Sequence, residues 1–172
     1  YELLKDETSK ESVKRIVDNA FTFKPEITRV SKDISILELY TGPTCAFKDY
    51  GASFLASSME EFLGDRKDKA VILAATSGDT GSAVAKAFEG KDNIEVVILY
   101  PSGKVSPLQE KQLTTIGGNI TALEVKGTFD DCQKMVKEAF GNDELKSKVN
   151  ITSANSINIG RLVPQSLYYI YA

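Results

Sequence analysis

The chain has 172 residues, 42% hydrophobic and 26% charged, the composition of an ordinary globular protein with enough apolar material for a core. Its 21 Lys and Arg against 24 Asp and Glu leave a net charge of −3, which offers no electrostatic footing for nucleic acid or an anionic membrane, and no apolar run reaches the ~20 residues of a membrane span. Histidine is absent, which excludes histidine triads, histidine general bases and most zinc sites, and two cysteines, Cys45 and Cys132, are too few for a disulfide scaffold and suit a reducing, cytoplasmic setting.

Residues 1–33 are charged and mixed, carry no signal-peptide core, and place Val13, Ile16, Val17 and Ala20 at helical spacing ahead of Pro25. Residues 34–40 read as a strand or extended lead-in, and Thr41-Gly42-Pro43-Thr44 as a turn. From about 47 to 63, Phe47, Tyr50, Phe54, Leu55, Met59 and Phe62 fall at helical spacing, with Gly64 and Asp65 closing the helix. Residues 70–75 form an apolar run typical of a doubly covered parallel strand, followed by loop 76–81 and a helix over 82–88. A strand over 94–99 comes next. Ser106, Pro107 and Gln109 supply a cap, a first-turn proline and a third-position glutamine, so a helix starts there and ends at Gly117-Gly118. A strand over 119–125 precedes a helix from Thr128 with Phe129, Cys132, Met135, Val136, Ala139 and Phe140 on one face. A short strand over 149–152 and a helix from about 159 end the chain. The alternation predicts an α/β fold, an open three-layer parallel sheet with helices on both faces and ligands at the carboxyl ends of its strands.

Three loops before predicted helices carry candidate chemistry. In TGPTCAFKDYG (41–51), Lys48 sits on a first helical turn beside Phe47 and Tyr50. A helix N-terminus and apolar neighbours both disfavour an ammonium, which suits a nucleophilic amine; a solvated lysine beside Asp49 is the plain alternative. In ATSGDTGSA (75–83), Gly78 and Gly81 allow close backbone approach, and the hydroxyls and free N–H groups suit a phosphate or carboxylate. This loop lacks the Lys-Ser/Thr of a Walker loop and reads equally as a helix entry capped by Asp79 or Thr80. In SANSINIGR (153–161), Asn155, Ser156 and Arg161 could together hold a dianionic phosphate, or simply form a polar turn.

Together, GPTCAFKDYG, SGDTGSA, YPSGKVSPLQEKQ and SANSINIGR, in this order over roughly residues 30–172, resemble the threonine synthases, pyridoxal-phosphate enzymes of the tryptophan-synthase-β type. The resemblance implies the small α/β domain of that fold and pyridoxal 5′-phosphate as cofactor. Lys48 would form the internal aldimine and act as catalytic base, with Phe47 by the cofactor ring and Asp79 near its 3-hydroxyl. Ser77, Gly78, Asp79 and Thr80 would bind the substrate carboxylate. Thr80, Asn155, Ser156 and Arg161 would hold the phosphate of O-phosphohomoserine. The implied reaction converts O-phospho-L-homoserine and water to L-threonine and phosphate, with no metal. A cofactor that serves as electron sink explains how this proceeds without histidine.

The family usually has His where this chain has Thr41, and its glycine-rich loop for the cofactor phosphate is not found in this chain. Cys45 and the SGKVSPLQ stretch read structurally, the first as a small filler and the second as a helix start, so Lys104 and Gln109 receive no catalytic role. Residues 1–45 are expected to belong to a larger domain, 46–152 to the small domain, and 153–172 to the substrate-phosphate loop and a helix returning to the larger one. The chain opens without Met and stops at Ala172 inside an apolar helical pattern, so a central, inactive piece of a longer enzyme is expected, monomeric or homodimeric when full-length. The alternatives are a related pyridoxal-phosphate lyase or dehydratase stopping at β- or γ-elimination, a non-enzymatic nucleotide- or phosphate-binding α/β module, and an interaction module pairing through its last helix.

Overall fold

Capping side chains and buried alternation set the elements of the computed structural model, which describes residues 1–2, 4–64, 69–155 and 158–172. Asp65 and Ser156 lie outside the described residues. Ser9 accepts the Ser12 N–H to start α1 (Lys10–Ala20), which buries Val13, Ile16 and Ala20 and leaves Val17 exposed. β1 (Glu26–Arg29) and β2 (Ser35–Glu38) form an antiparallel hairpin separate from the main sheet. α2 (Lys48–Leu63) then begins at the candidate lysine itself.

The alternation that follows is β3 (Ala70–Ala75), α3 (Asp79–Phe88), β4 (Ile94–Pro101), α4 (Pro107–Thr114), β5 (Ile120–Val125), α5 (Phe129–Gly141), α6 (Asp143–Lys148) and β6 (Asn150–Thr152). α3 starts at Asp79, three residues before the start of the predicted helix. Ser106 and Gln109 form the expected capping box of α4, and Thr128 and Asp131 form another at α5. The two hydrogen bonds from Thr128 hold the Asp131 carboxyl below its usual range. A single final helix is expected; instead α7 (Ile159–Gln165) and α8 (Leu167–Tyr171) meet at Ser166. Pro164 inside α7 lacks the N–H needed to bond one turn back.

The four strands are parallel in the order β5-β4-β3-β6, with Ile72 opposite both Val96 and Thr152. On β3, Ala70, Ile72 and Ala74 are buried, and Ile72 joins Val84 and Phe88 of α3, Val96 and Ile98 of β4, and Leu113 of α4 in one core. Each such side chain contributes about 1.5–3 kcal/mol by leaving water. Leu73 and Ala75 face the opposite way, toward Gln133, Val136 and Phe140 of α5, so helices cover both faces. This is the expected three-layer α/β fold. No described helix is long and apolar enough to cross a membrane.

Strand order places the site. From β3 the chain steps to β4 and β5 on one side, then returns to add β6 on the other. Loops leaving the carboxyl ends of β3 and β6 therefore diverge, which opens a crevice between them.

Candidate functional site

Thr76, the first residue past β3, builds the loop. Its hydroxyl is buried, accepts the N–H groups of Gly78 (3.2 Å) and Gly81 (2.9 Å), and donates to the Gly78 carbonyl (2.8 Å). A Cβ on Gly81 would stand 2.4 Å from the Thr76 methyl carbon, so the motif needs glycine there for space alone. With Gly78 and Gly81 occupied by Thr76, the N–H groups of Asp79 and Thr80 head α3, where geometry gives them no intrahelical acceptor.

Lys48 is held by a second turn. Asp49, 2% exposed, accepts the Thr44 N–H (2.9 Å) and hydroxyl (2.5 Å), which wraps residues 44–49 around one carboxylate. Gly42 lies so close that a Cβ would be 2.5 Å from Asp49 Oδ2. Cys45 takes φ 57°, an uncommon left-handed conformation for a side-chain-bearing residue, in the tightest part of this turn. The Lys48 side chain is 24% exposed, with Nζ 5.2 Å from the Phe47 ring centre and 3.9 Å from Asp79 Oδ2. Its surroundings are therefore not purely apolar, as the sequence suggests; a carboxylate faces it.

These pieces meet in a cleft of about 190 Å³ at the diverging ends of β3 and β6, lined by Lys48, Ser77, Gly78, Asp79, Thr80 and Asn155. Six of the predicted site residues thus come together. Phe47 stacks by the lysine and is exposed, without lining the cleft. Arg161 does not line it either. It is 1% exposed behind Ala154, whose carbonyl accepts from Nη1 at 2.6 Å, and Nε has no partner among the described residues. Burial pushes the guanidinium below its usual range, with no carboxylate among the described residues opposing it. A larger cavity of about 330 Å³, lined by Phe21, Phe23, Tyr50, Tyr168 and Tyr171, contains none of these donors.

Sequence patterns miss three contributors. Gln133 and Phe129 of α5 line the cleft, because α5 starts after the carboxyl end of β5, on the side of the sheet where the β3 and β6 loops also leave. Gln109 donates from Nε2 to Asp79 Oδ1 at 2.7 Å.

A primary amine facing a carboxylate, beside hydroxyls and a helix N-terminus, can hold a carbonyl compound bearing anionic groups. Comparison with known proteins agrees with this chemistry. Residues 26–162 match the family described as pyridoxal-phosphate dependent enzyme. The chain is 52% identical to threonine synthase of Buchnera aphidicola over 96% of its residues, and 50% identical to that of Escherichia coli over 97%. It spans 39% of the length of each of these relatives. The crystal structure of the Escherichia coli threonine synthase superposes with a TM-score of 0.88, covering 97% of this chain and 39% of that one. A pyridoxal-phosphate-bound threonine synthase from Brucella melitensis gives 0.85 at 38% identity, covering 94% and 36%. The chain, with its lysine-bearing cleft at the switch point of a parallel sheet, belongs to the pyridoxal-phosphate dependent enzyme family.

Proposed function

We propose that this chain is the lysine-bearing, substrate-phosphate-binding region of a threonine synthase, which converts O-phospho-L-homoserine and water to L-threonine and phosphate. The observation that carries this reading is the Lys48 amine, 3.9 Å from Asp79, opening onto a cleft lined with anion-binding groups. The threonine synthases named above match nearly the whole chain.

The residues fit one side of pyridoxal phosphate. Lys48 offers the amine that an aldehyde needs, and Arg161, buried and with no partner for Nε among the described residues, suits an anion nearby, since a buried cation without a counter-charge is costly. When bound, the cofactor supplies an electron sink for the carbanion formed beside the substrate nitrogen. Lys48 Nζ would hold the cofactor at rest and, once freed by the substrate, would take the α proton and then a β proton, and return protons to the γ carbon, which becomes the methyl group, and to the α carbon. Asp79 would sit by the cofactor 3-hydroxyl. Ser77, Gly78, Asp79 and Thr80 receive the substrate carboxylate at the start of α3, where free N–H groups favour an anion. Thr80, Asn155, Ser156 and Arg161 take the substrate phosphate, with Arg161 acting from behind the loop. Neutralising the phosphate makes it a better leaving group at the γ carbon, after which water adds at the β carbon.

Residues 46–152 form the small domain in this reading, and the flanking segments belong to a larger one. The separate β1–β2 hairpin and the exposed Ile27, Val30, Ile34 and Ile36, together with Ile159, Leu162 and Ile170, support that division.

The test uses the full-length enzyme with pyridoxal phosphate and O-phosphohomoserine in ¹⁸O-labelled water. Threonine carrying ¹⁸O at its hydroxyl, formed in step with phosphate, is expected. A keto acid as the sole organic product would assign the chain to an eliminating lyase instead.

A further inference from the structure

The SPLQ segment at the start of α4 reads as a helix start, and the capping box is indeed formed: Ser106 Oγ accepts the Gln109 N–H at 3.3 Å. The same glutamine also reaches another element. Its Oε1 accepts the Ser106 N–H (3.3 Å) and hydroxyl (3.1 Å), while Nε2 donates to Asp79 Oδ1 at 2.7 Å. The two ends of this amide cannot be exchanged. Swapping them would set an NH₂ against the Ser106 N–H and an amide oxygen against a carboxylate. The cap of α4 thus dictates that the donor end points at Asp79. Gly78 makes room for it, since a Cβ there would lie 3.3 Å from Gln109 Nε2.

Asp79 is the first residue of α3, with a half-exposed side chain that would otherwise turn freely. With Oδ1 tied to Gln109, the other oxygen, Oδ2, is the one 3.9 Å from Lys48 Nζ. We propose that Gln109 is a positioning residue, which fixes Asp79 so that its second oxygen faces the Lys48 amine. The proposal rests on Lys48 being the reacting amine of the site, and it extends that site to an element, α4, whose motif otherwise has only a structural use. It makes the placement of α4 against α3 part of the machinery that orients the lysine.

Competitive acetylation of the full-length protein by trace acetic anhydride, without cofactor, reads the amine directly. Label at Lys48 is compared by mass spectrometry with that at Lys86 and Lys146 in the same molecules. A carboxylate held against the amine restricts the reagent's approach to it, so Gln109→Met should raise relative labelling of Lys48 by about two- to fivefold. Gln109→Asn keeps the amide but draws it back by one methylene, and should act in the same direction if the methionine variant does not fold. On an Asp79→Asn background neither change should have further effect, because Gln109 acts only through that carboxylate. Ser106→Ala keeps the backbone N–H on Oε1 and should leave Lys48 labelling unchanged, whereas a merely structural role predicts that it behaves like Gln109→Met. Unchanged labelling in folded Gln109 variants, or an equal effect without Asp79, overturns the proposal. Because no cofactor is present, that result leaves the cofactor reading of Lys48 standing.

Discussion

Thr76 and Gly81 fit against each other with no room for a methyl group: a Cβ on Gly81 would meet Thr76 Cγ2 at 2.4 Å, while the Gly81 N–H donates to Thr76 Oγ1 at 2.9 Å. Contact and hydrogen bond together shape the loop that begins the cleft. Gly81→Ala is therefore expected to lower stability by about 1–3 kcal/mol through overpacking, read as a lower urea midpoint at unchanged slope. Thr76→Val keeps the shape but removes the side-chain acceptor of the Gly78 and Gly81 N–H groups, leaving Gly81 only the Gly78 carbonyl at 3.2 Å, and should cost about 1–3 kcal/mol. An unchanged midpoint for both would contradict the part given to Thr76.

Gly51 makes a second close approach. Its Cβ position lies 2.6 Å from the Arg161 carbonyl oxygen, so α2 and α7 pack with glycine at their contact. Gly51→Ala should push these helices apart at a cost of about 1–3 kcal/mol, and shift the Lys48 helix relative to α7. Slower capture of pyridoxal phosphate together with a lower thermal midpoint is the expected pair of changes.

Arg161 separates stability from binding. Arg161 has no counter-ion among the described residues, and removing a buried unpaired charge in favour of an apolar side chain of similar length relieves its desolvation cost. Arg161→Met should keep its stability, read from the thermal midpoint, within roughly 1 kcal/mol of the parent. It should lose the rise in that midpoint that added phosphate gives the parent, since a ligand stabilises only the state that binds it. A phosphate-dependent rise that survives in the variant would remove Arg161 from the anion site.

Alkaline pH acts on three buried phenols. Burial raises the ionisation of Tyr50, Tyr100 and Tyr168 above the usual value of 10.0. The unfolded chain loses these protons first, so the stabilisation is complete below about pH 10 and is lost as pH rises through the folded values. Thermal midpoints should fall from about pH 10 upward, and less steeply in Tyr100→Phe than in the parent. Equal slopes would exclude Tyr100 as a contributor.

Much of this molecule is legible in its sequence where local patterns carry the information. The apolar run 70–75 coincides with β3, and Ser106-Pro107 opens α4 as their chemistry dictates. β1 is hidden because all four of its residues are exposed, which leaves no alternation to detect. α6 buries no residue and so shows no apolar face. The site divides along the same line. Lys48 and the 77–80 loop announce themselves by type and by helix position. The Gln109 contact joins residues 30 apart in the sequence, and only the docking of α4 on α3 creates it. Arg161 is visible as a candidate cation, but its burial behind Ala154 comes from the packing of α7 on α2.

The central claim is that Lys48 is the amine that holds pyridoxal phosphate. Incubation of the protein with the cofactor, reduction with borohydride and peptide mapping test it most directly. A stable pyridoxyl-phosphate adduct concentrated on the peptide containing Lys48, and absent from that position in a folded Lys48→Ala variant, is the expected result. An adduct spread evenly over exposed lysines such as Lys69 and Lys134, with none enriched at Lys48, would contradict the account.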